Sequence, residues 1–171
     1  MASSFIDFKD NGFWARDGFV EAFQLLLFEE IRIIYNDSSD WLNEYKKELS
    51  LQSLPLIHGG MSMRLDETLI DNSRNETILH LLDNIKEKIS KDKDYLTGKH
   101  LNRLRRTVRK YLIGVNEITM TEKEIEKDIL DGCYGDELPV NNYQRGFDLL
   151  RNLIAGQLKY KVDTEITYWD E

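Results

Sequence analysis

Apolar residues dominate one stretch of the chain, residues 17 to 35, almost without interruption. Its clearly polar positions are few: Glu21, Gln24, Glu29, Glu30 and Arg32. Because apolar side chains then cover most of the helical circumference, this pattern predicts a central and largely buried helix. At about 1.5 Å per residue the helix would be about 28 Å long, enough to cross a small domain.

Five further segments repeat apolar residues at helical spacing and predict five more helices. They are residues 38 to 53, 75 to 90, 98 to 114, 121 to 130 and 141 to 158. Thr97 is placed to cap the third of these, and Thr121 with Glu124 has capping-box spacing before the fourth. Turn-forming residues predict a loop over residues 54 to 64 and a turn over residues 131 to 139. The expected fold class is all-α, a single-domain bundle of about six helices around the buried central helix, spanning residues 1–171.

The two ends of the chain depart from the helical pattern. Residues 1–16 are rich in aromatic side chains, among them Phe8, Phe13 and Trp14, which we expect to pack the chain entry onto the core or to form an exposed anchor. Residues 159–171 form an extended tail in which apolar and polar residues alternate, the period of a strand. A lone strand is unstable, so this one would need residues 4 to 8 or 56 to 63 as its partner.

Composition and charge narrow the class of protein. The 171 residues include 31 acidic and 23 basic ones, a formal net charge of −8, which favours a basic partner over nucleic acid. The chain has one cysteine, Cys133, and its first residues lack the basic and apolar parts of a secretory leader. We therefore expect a cytoplasmic protein without a disulfide and without a membrane span.

The main concentration of positive charge is the segment from residue 98 to 114, with six Lys or Arg residues, one His and no acid. On a helical wheel its apolar residues share one side, and Lys99, Arg103, Arg106 and Lys110 lie opposite. Arg105 and Arg109 flank the apolar stripe and could reach acids on neighbouring helices. Internal neutralisation of the protein's own carboxylates is the favoured interpretation, and a phosphate-binding or nucleic-acid surface is the alternative.

A search for chemical motifs identifies no catalytic residue, no metal ligand set and no cofactor site. His58, His80 and His100 are widely separated, and none has the spacing of a zinc motif. His80 could share a helix face with Glu76, but exposed acidic helices produce this spacing routinely.

These observations favour a non-catalytic acidic protein-interaction module, in its concrete form an inhibitor or immunity-type protein that neutralises a basic partner such as a toxin nuclease. The alternative is a small-ligand-binding or enzymatic helical domain whose site is scattered along the sequence. Candidate partner-binding residues are Asp37, Asp40 and Glu44 around the second helix, Glu122, Glu124 and Glu126 on the fifth, Asp131, Asp136 and Glu137 in the following turn, and Trp169 near the C-terminus.

Overall fold

The computed structural model describes residues 3–35, 40–54, 61–132 and 134–158. This part of the chain is mostly helical, with seven helices and a two-stranded sheet. The elements, in chain order, are β1 (Ser3–Phe8), β2 (Asn11–Arg16), α1 (Asp17–Ile34), α2 (Asp40–Gln52), α3 (Leu65–Thr68), α4 (Asn72–Lys91), α5 (Gly98–Gly114), α6 (Glu122–Asp131) and α7 (Val140–Ile154). In the described ranges, no helix combines the length and the apolar character that crossing a membrane requires.

Helix α1 is the predicted central helix, and the prediction is confirmed. Every residue from Phe19 to Ile31 is buried. Helices α2, α4, α5 and α7 all pack against it, so its apolar side chains are covered on most sides. Burial of this much apolar surface is the main favourable contribution to folding.

The predicted all-α class is confirmed only in part, because the described chain is mostly helical but residues 3–16 form a β-hairpin. Strands β1 and β2 pair antiparallel, from Ser3 opposite Arg16 to Phe8 opposite Asn11. Lys9 and Asp10 form the two-residue turn with φ of 50° and 64°, the left-handed geometry of the turns that suit hairpins. Ile6, Phe8, Phe13 and Ala15 lie buried in the core, as expected for a packing role. The tail suggested as a partner for residues 4 to 8 lies outside the described residues.

Local signals explain where most helices begin and end. The predicted caps at Thr97 and Thr121 are confirmed, since their hydroxyls accept hydrogen bonds from the amides of His100 and Glu124. Helix α4 begins three residues before the predicted start, because the side chain of Asp71 caps its first turn. Helix α7 ends four residues early, at a turn in which Gly156 has φ of 70°.

The contact between α1 and α7 is unusually close at one glycine. A Cβ atom at Gly146 would lie 2.6 Å from Cζ of Phe23, closer than side-chain atoms approach one another. Aromatic pairs flank this point: Phe19 stacks on Tyr143 at 4.1 Å, and Phe23 meets Phe147 edge-on at 4.7 Å. The missing side chain at 146 therefore allows the two helices to interlock through their rings.

Candidate functional site

Helix α5 directs most of its positive charge at the protein's own carboxylates. Four of its six cations make ion pairs: Arg105 with Glu21 at 2.7 Å, Arg106 with Glu126 through two bonds of 2.8 Å, Arg109 with Asp128 at 2.9 Å, and Lys110 with Glu122 at 2.8 Å. The prediction that Arg105 and Arg109 reach acids on neighbouring helices is confirmed. Internal neutralisation is therefore the main role of this basic helix.

Arg109 is the most deeply buried of these cations, with an exposed fraction of 0%. Its Nε donates to Asp128 of α6, and its two terminal nitrogens lie 3.4 Å from the hydroxyl and carbonyl oxygens of Ser53, just after α2. Burial lowers the pKa of Arg109, while the charges of Asp128 and Glu21 oppose that shift. This one side chain connects α5 to both α2 and α6.

Arg105 connects α5 to the central helix and to the segment after α6. Its Nε donates to Glu21 Oε1, and Nη1 donates to the carbonyl of Gly132. The hydroxyl of Tyr134 lies 2.9 Å from Glu21 Oε2 and equally near the carbonyl of Gly18. Burial raises the pKa of Glu21, although Arg105 and Tyr134 partly offset it. Arg105 is thus the cation that pairs directly with the buried carboxylate of Glu21, and the charge of Arg109 also acts on it.

Residues 131–139, which we name the acidic loop, are held on α5 at several points. Tyr134 donates its amide hydrogen to Asn102 Oδ1 at 2.9 Å, and Asn102 Nδ2 donates back to the carbonyl of Tyr134 at 3.1 Å. Gly98 and Gly135 pack backbone against backbone, with no space for a side chain at Gly98. These contacts hold Tyr134 and Gly135 against the first half of α5.

Free carboxylates line the outside of the acidic loop. Asp131, Asp136 and Glu137 are exposed, and none of the three makes an ion pair or hydrogen bond with another residue in the described ranges. Next to them, Leu130 at the end of α6 has an exposed fraction of 72%. The loop therefore presents acids that have no cationic partner among the described residues, next to an exposed apolar side chain.

The predicted acids on α6 have internal roles. Glu122 and Glu126 pair with Lys110 and Arg106, and Glu124 accepts the amide hydrogen of Thr121 in the capping box. These side chains remain at the surface, but α5 and the cap use much of their hydrogen-bonding capacity.

The remaining predicted residues form a separate set or lie outside the described part of the chain. Asp40 and Glu44 are exposed in the first turns of α2, whereas Ser53, just beyond the other end of that helix, meets α5. Among the described residues, no hydrogen bond or ion pair joins Asp40 or Glu44 to the acidic loop. Asp37 and Trp169 lie outside the described residues.

A cleft beside the acidic loop was not predicted from the sequence. Its volume is about 1080 Å³, and it lies between the end of α1, the end of α4 and the first half of α5. The charged and aromatic residues that line it are Glu29, Lys88, Asp92, Asp94, Tyr95, Lys99, His100, Arg103, Arg106 and Asp136. Asp136 belongs to both the cleft and the acidic loop, so the two are neighbours.

A buried imidazole–carboxylate pair forms part of the cleft wall. His100 Nε2 lies 2.9 Å from Glu29 Oε2, and both side chains have an exposed fraction of 8%. Burial raises the pKa of Glu29, but the hydrogen bond and charge of His100, with the charges of Arg103 and Arg32, outweigh it and hold the pKa below 4.5. The other ring nitrogen of His100, Nδ1, has no hydrogen-bond partner among the described residues.

A second buried carboxylate lies next to this pair. Glu30 is fully buried, and its Oε1 accepts hydrogen bonds from Lys88 and from the hydroxyl of Tyr95. Burial and the charges of Glu30 and Glu29 raise the pKa of Tyr95. In the sequence, Glu29 and Glu30 are notable only because they interrupt the apolar pattern near the end of α1.

The residues considered earlier for metal binding do not form a site in the described ranges. There, no group of three or more His, Cys, Asp or Glu residues is arranged to hold a metal ion. His80 is exposed and lies 3.4 Å from Asn84 Nδ2, while His58 and Cys133 fall outside these ranges. Comparison with known proteins gives no relative: no family model, curated protein or solved structure matches the chain.

Proposed function

We propose that this chain is a non-catalytic acidic interaction protein that binds a basic protein partner through the acidic loop and the end of α6. The observation that carries the proposal is the distribution of charge. Most cations of α5 are paired internally, whereas Asp131, Asp136 and Glu137 are exposed and without a cationic partner among the described residues.

Three properties of the acidic loop suit this role. Leu130 supplies an exposed apolar contact beside the acids, the combination of a desolvated centre and a charged rim that protein interfaces use. The bonds between Asn102 and Tyr134 hold the loop in place before any partner arrives. Pre-organisation of this kind reduces the entropy lost on binding. The free carboxylates also increase the rate of encounter with a basic protein.

The concrete form that we propose is an inhibitor or immunity-type protein of the cytoplasm, whose carboxylates occupy the substrate site of a cationic enzyme such as a toxin nuclease. A phosphate-binding groove would accept exposed carboxylates on a fixed loop in place of phosphates. The same negative surface disfavours nucleic acid itself as the ligand.

The test compares two triple variants that remove the same amount of charge. The first is Asp131→Asn with Asp136→Asn and Glu137→Gln. The control is Asp7→Asn with Asp10→Asn and Glu76→Gln, three exposed acids on the hairpin and α4. Each tagged protein is incubated at low salt with lysate of the source cells, retained proteins are eluted with a salt ramp, and bands are identified by mass spectrometry.

We expect the unaltered chain and the control to retain the same basic protein, released as salt rises, and the loop variant to lose it. Equal retention by both variants would contradict the assignment to the acidic loop. A third variant, Asp40→Asn with Glu44→Gln, tests whether the surface on α2 is used instead. Salt-dependent binding of the chain to duplex or single-stranded nucleic acid would overturn the proposal as a whole.

A further inference from the structure

The cleft between α1, α4 and α5 is large enough to hold a small molecule, and most of its lining is charged or polar. Its volume of about 1080 Å³ slightly exceeds the roughly 300 to 1,000 Å³ typical of ligand pockets. Ile33 and Tyr95 give it an apolar part, and charged side chains surround the rest. The role proposed above shares only Asp136 with this cleft.

The two cations of α5 that make no ion pair with a described residue both line the cleft. Lys99 and Arg103 are exposed and four residues apart, so they lie one above the other on the same helix face. Arg106, one turn further, is already held by Glu126 through two hydrogen bonds. The cations of α5 that form no salt bridge with a described residue therefore lie together on the wall of the cleft, where the charge of Arg103 also acts on Glu29.

His100 adds a polar group beside these cations. Its ring is nine-tenths buried and is oriented by the bond from Nε2 to Glu29, while Nδ1 has no partner among the described residues. A neutral ring would offer Nδ1 as an acceptor, and a protonated ring would offer it as a donor to an anion. The cleft also adjoins the first turn of α5, where the helix dipole favours negative charge.

Acidic side chains on the cleft rim limit what can enter. Asp92 and Asp94 lie in the connection between α4 and α5, and Asp136 lies in the acidic loop. These carboxylates repel an extended polyanion such as nucleic acid. A single small anionic group between Lys99 and Arg103 can avoid them, and they can accept hydrogen bonds from the rest of such a ligand.

We propose that the cleft is a binding site for a small organic anion, whose phosphate or carboxylate group lies between Lys99 and Arg103 beside His100. The guanidinium of Arg103 supplies a planar pair of donors, and Lys99 supplies a second positive charge. Tyr95 and Ile33 contact the apolar part of the ligand. The two proposed sites share Asp136, but the substitutions that test this one leave Asp136 unchanged, so either proposal can fail without the other.

The test uses three defined probes: inorganic phosphate, phenyl phosphate and benzoate. Each is titrated at constant ionic strength into the ¹⁵N-labelled protein, and amide and imidazole resonances are followed by NMR. We expect saturable shifts at residues 97 to 103 and at the ring of His100. Tighter binding of phenyl phosphate than of benzoate would identify phosphate as the group recognised, and the reverse order would identify carboxylate.

Two exposed substitutions that remove one positive charge each decide whether the cleft is the site. Arg103→Gln should weaken the affinity for the best probe about tenfold or more, because one charge-assisted contact is lost. Lys127→Gln, on the outside of α6 and away from the cleft, should leave the affinity unchanged. Absence of saturable shifts with all three probes, or equal affinity in the two variants, would overturn the proposal.

Discussion

Replacement of Arg105 by methionine would leave the carboxylate of Glu21 buried without its hydrogen-bonded cation, and only the charge of Arg109 would still act on it. The side chains of Arg105 and Glu21 are 3% and 7% exposed, so water cannot replace the lost charge easily. Breaking a buried ion pair by removal of one partner costs about 3 to 5 kcal/mol, a large share of the roughly 5 to 15 kcal/mol that stabilises a typical domain. With a urea m value of about 2 kcal/mol/M, the unfolding midpoint should fall by about 1.5 to 2.5 M.

Urea unfolding of four proteins tests this reasoning: the unaltered chain, Arg105→Met, Glu21→Gln and the double variant. The double variant should be more stable than Arg105→Met by about 1 kcal/mol or more, because it no longer buries an uncompensated charge. Arg103→Met, an exposed change on the same helix, is the control and should change stability by no more than about 0.5 kcal/mol.

The pH dependence of the same variant provides an independent check. Burial already raises the pKa of Glu21 above 4.5, and loss of Arg105 removes a charge that lowers it. Glu21 in the folded variant therefore binds a proton more readily than Glu21 in the unfolded chain. As the pH falls from about 7 towards 5, the difference in free energy of unfolding between the variant and the unaltered protein should become smaller. Three results would refute this reasoning. They are a loss of stability below about 1 kcal/mol in Arg105→Met, additive effects of the two substitutions in the double variant, and a stability difference that does not change with pH.

Three other predictions follow from local contacts. Gly146→Ala should destabilise the protein by about 1 to 3 kcal/mol in thermal or urea unfolding, because the new methyl group meets the ring of Phe23. Its matched control is Gly114→Ala, where nothing lies within 4 Å of the new methyl group, and this change should be neutral or stabilising by up to about 1 kcal/mol. Thr121→Ala should cost about 0.5 to 2 kcal/mol through loss of the capping box, and unchanged stability would contradict that role. The unaltered chain should be more stable than Glu29→Gln above pH 4.5, and this difference should become smaller as the pH falls below 4.5, because the pKa of Glu29 is lowered in the folded state. Urea unfolding midpoints of both proteins between pH 6 and about 3 measure the difference.

The sequence was most informative where one local rule decides the outcome. The apolar stretch around α1 and the caps at Thr97 and Thr121 depend on residues within a few positions, and their predictions were confirmed. The hairpin was missed although Asn11-Gly12 is a favoured turn dipeptide. The turn lies two residues earlier, and Gly12 is needed instead for its close approach to the backbone of Ile6 and the ring of Phe5.

The candidate sites were harder to predict because their contacts join distant parts of the chain. His100 and Glu29 are 71 residues apart, and Arg105 and Glu21 are 84 apart. Helical periodicity indicates that Arg105 flanks the apolar stripe, but only the packing of α5 on α1 identifies its partner. The cleft has no sequence motif, because its residues come from three helices, the connection between α4 and α5, and the acidic loop.

The attachment of α6 implies an order in which parts of the protein open. Its main packing partner is α5, and Ile125 and Ile129 are buried there but do not belong to the continuous apolar core. Three ion pairs supply much of the remaining attachment. Salt and acid weaken such pairs far more than they weaken apolar packing, so α6 should exchange its amide hydrogens by local opening well before α1 does. The fraction of molecules in which α6, the helix before the acidic loop, is folded would then depend on the ionic strength of the solution.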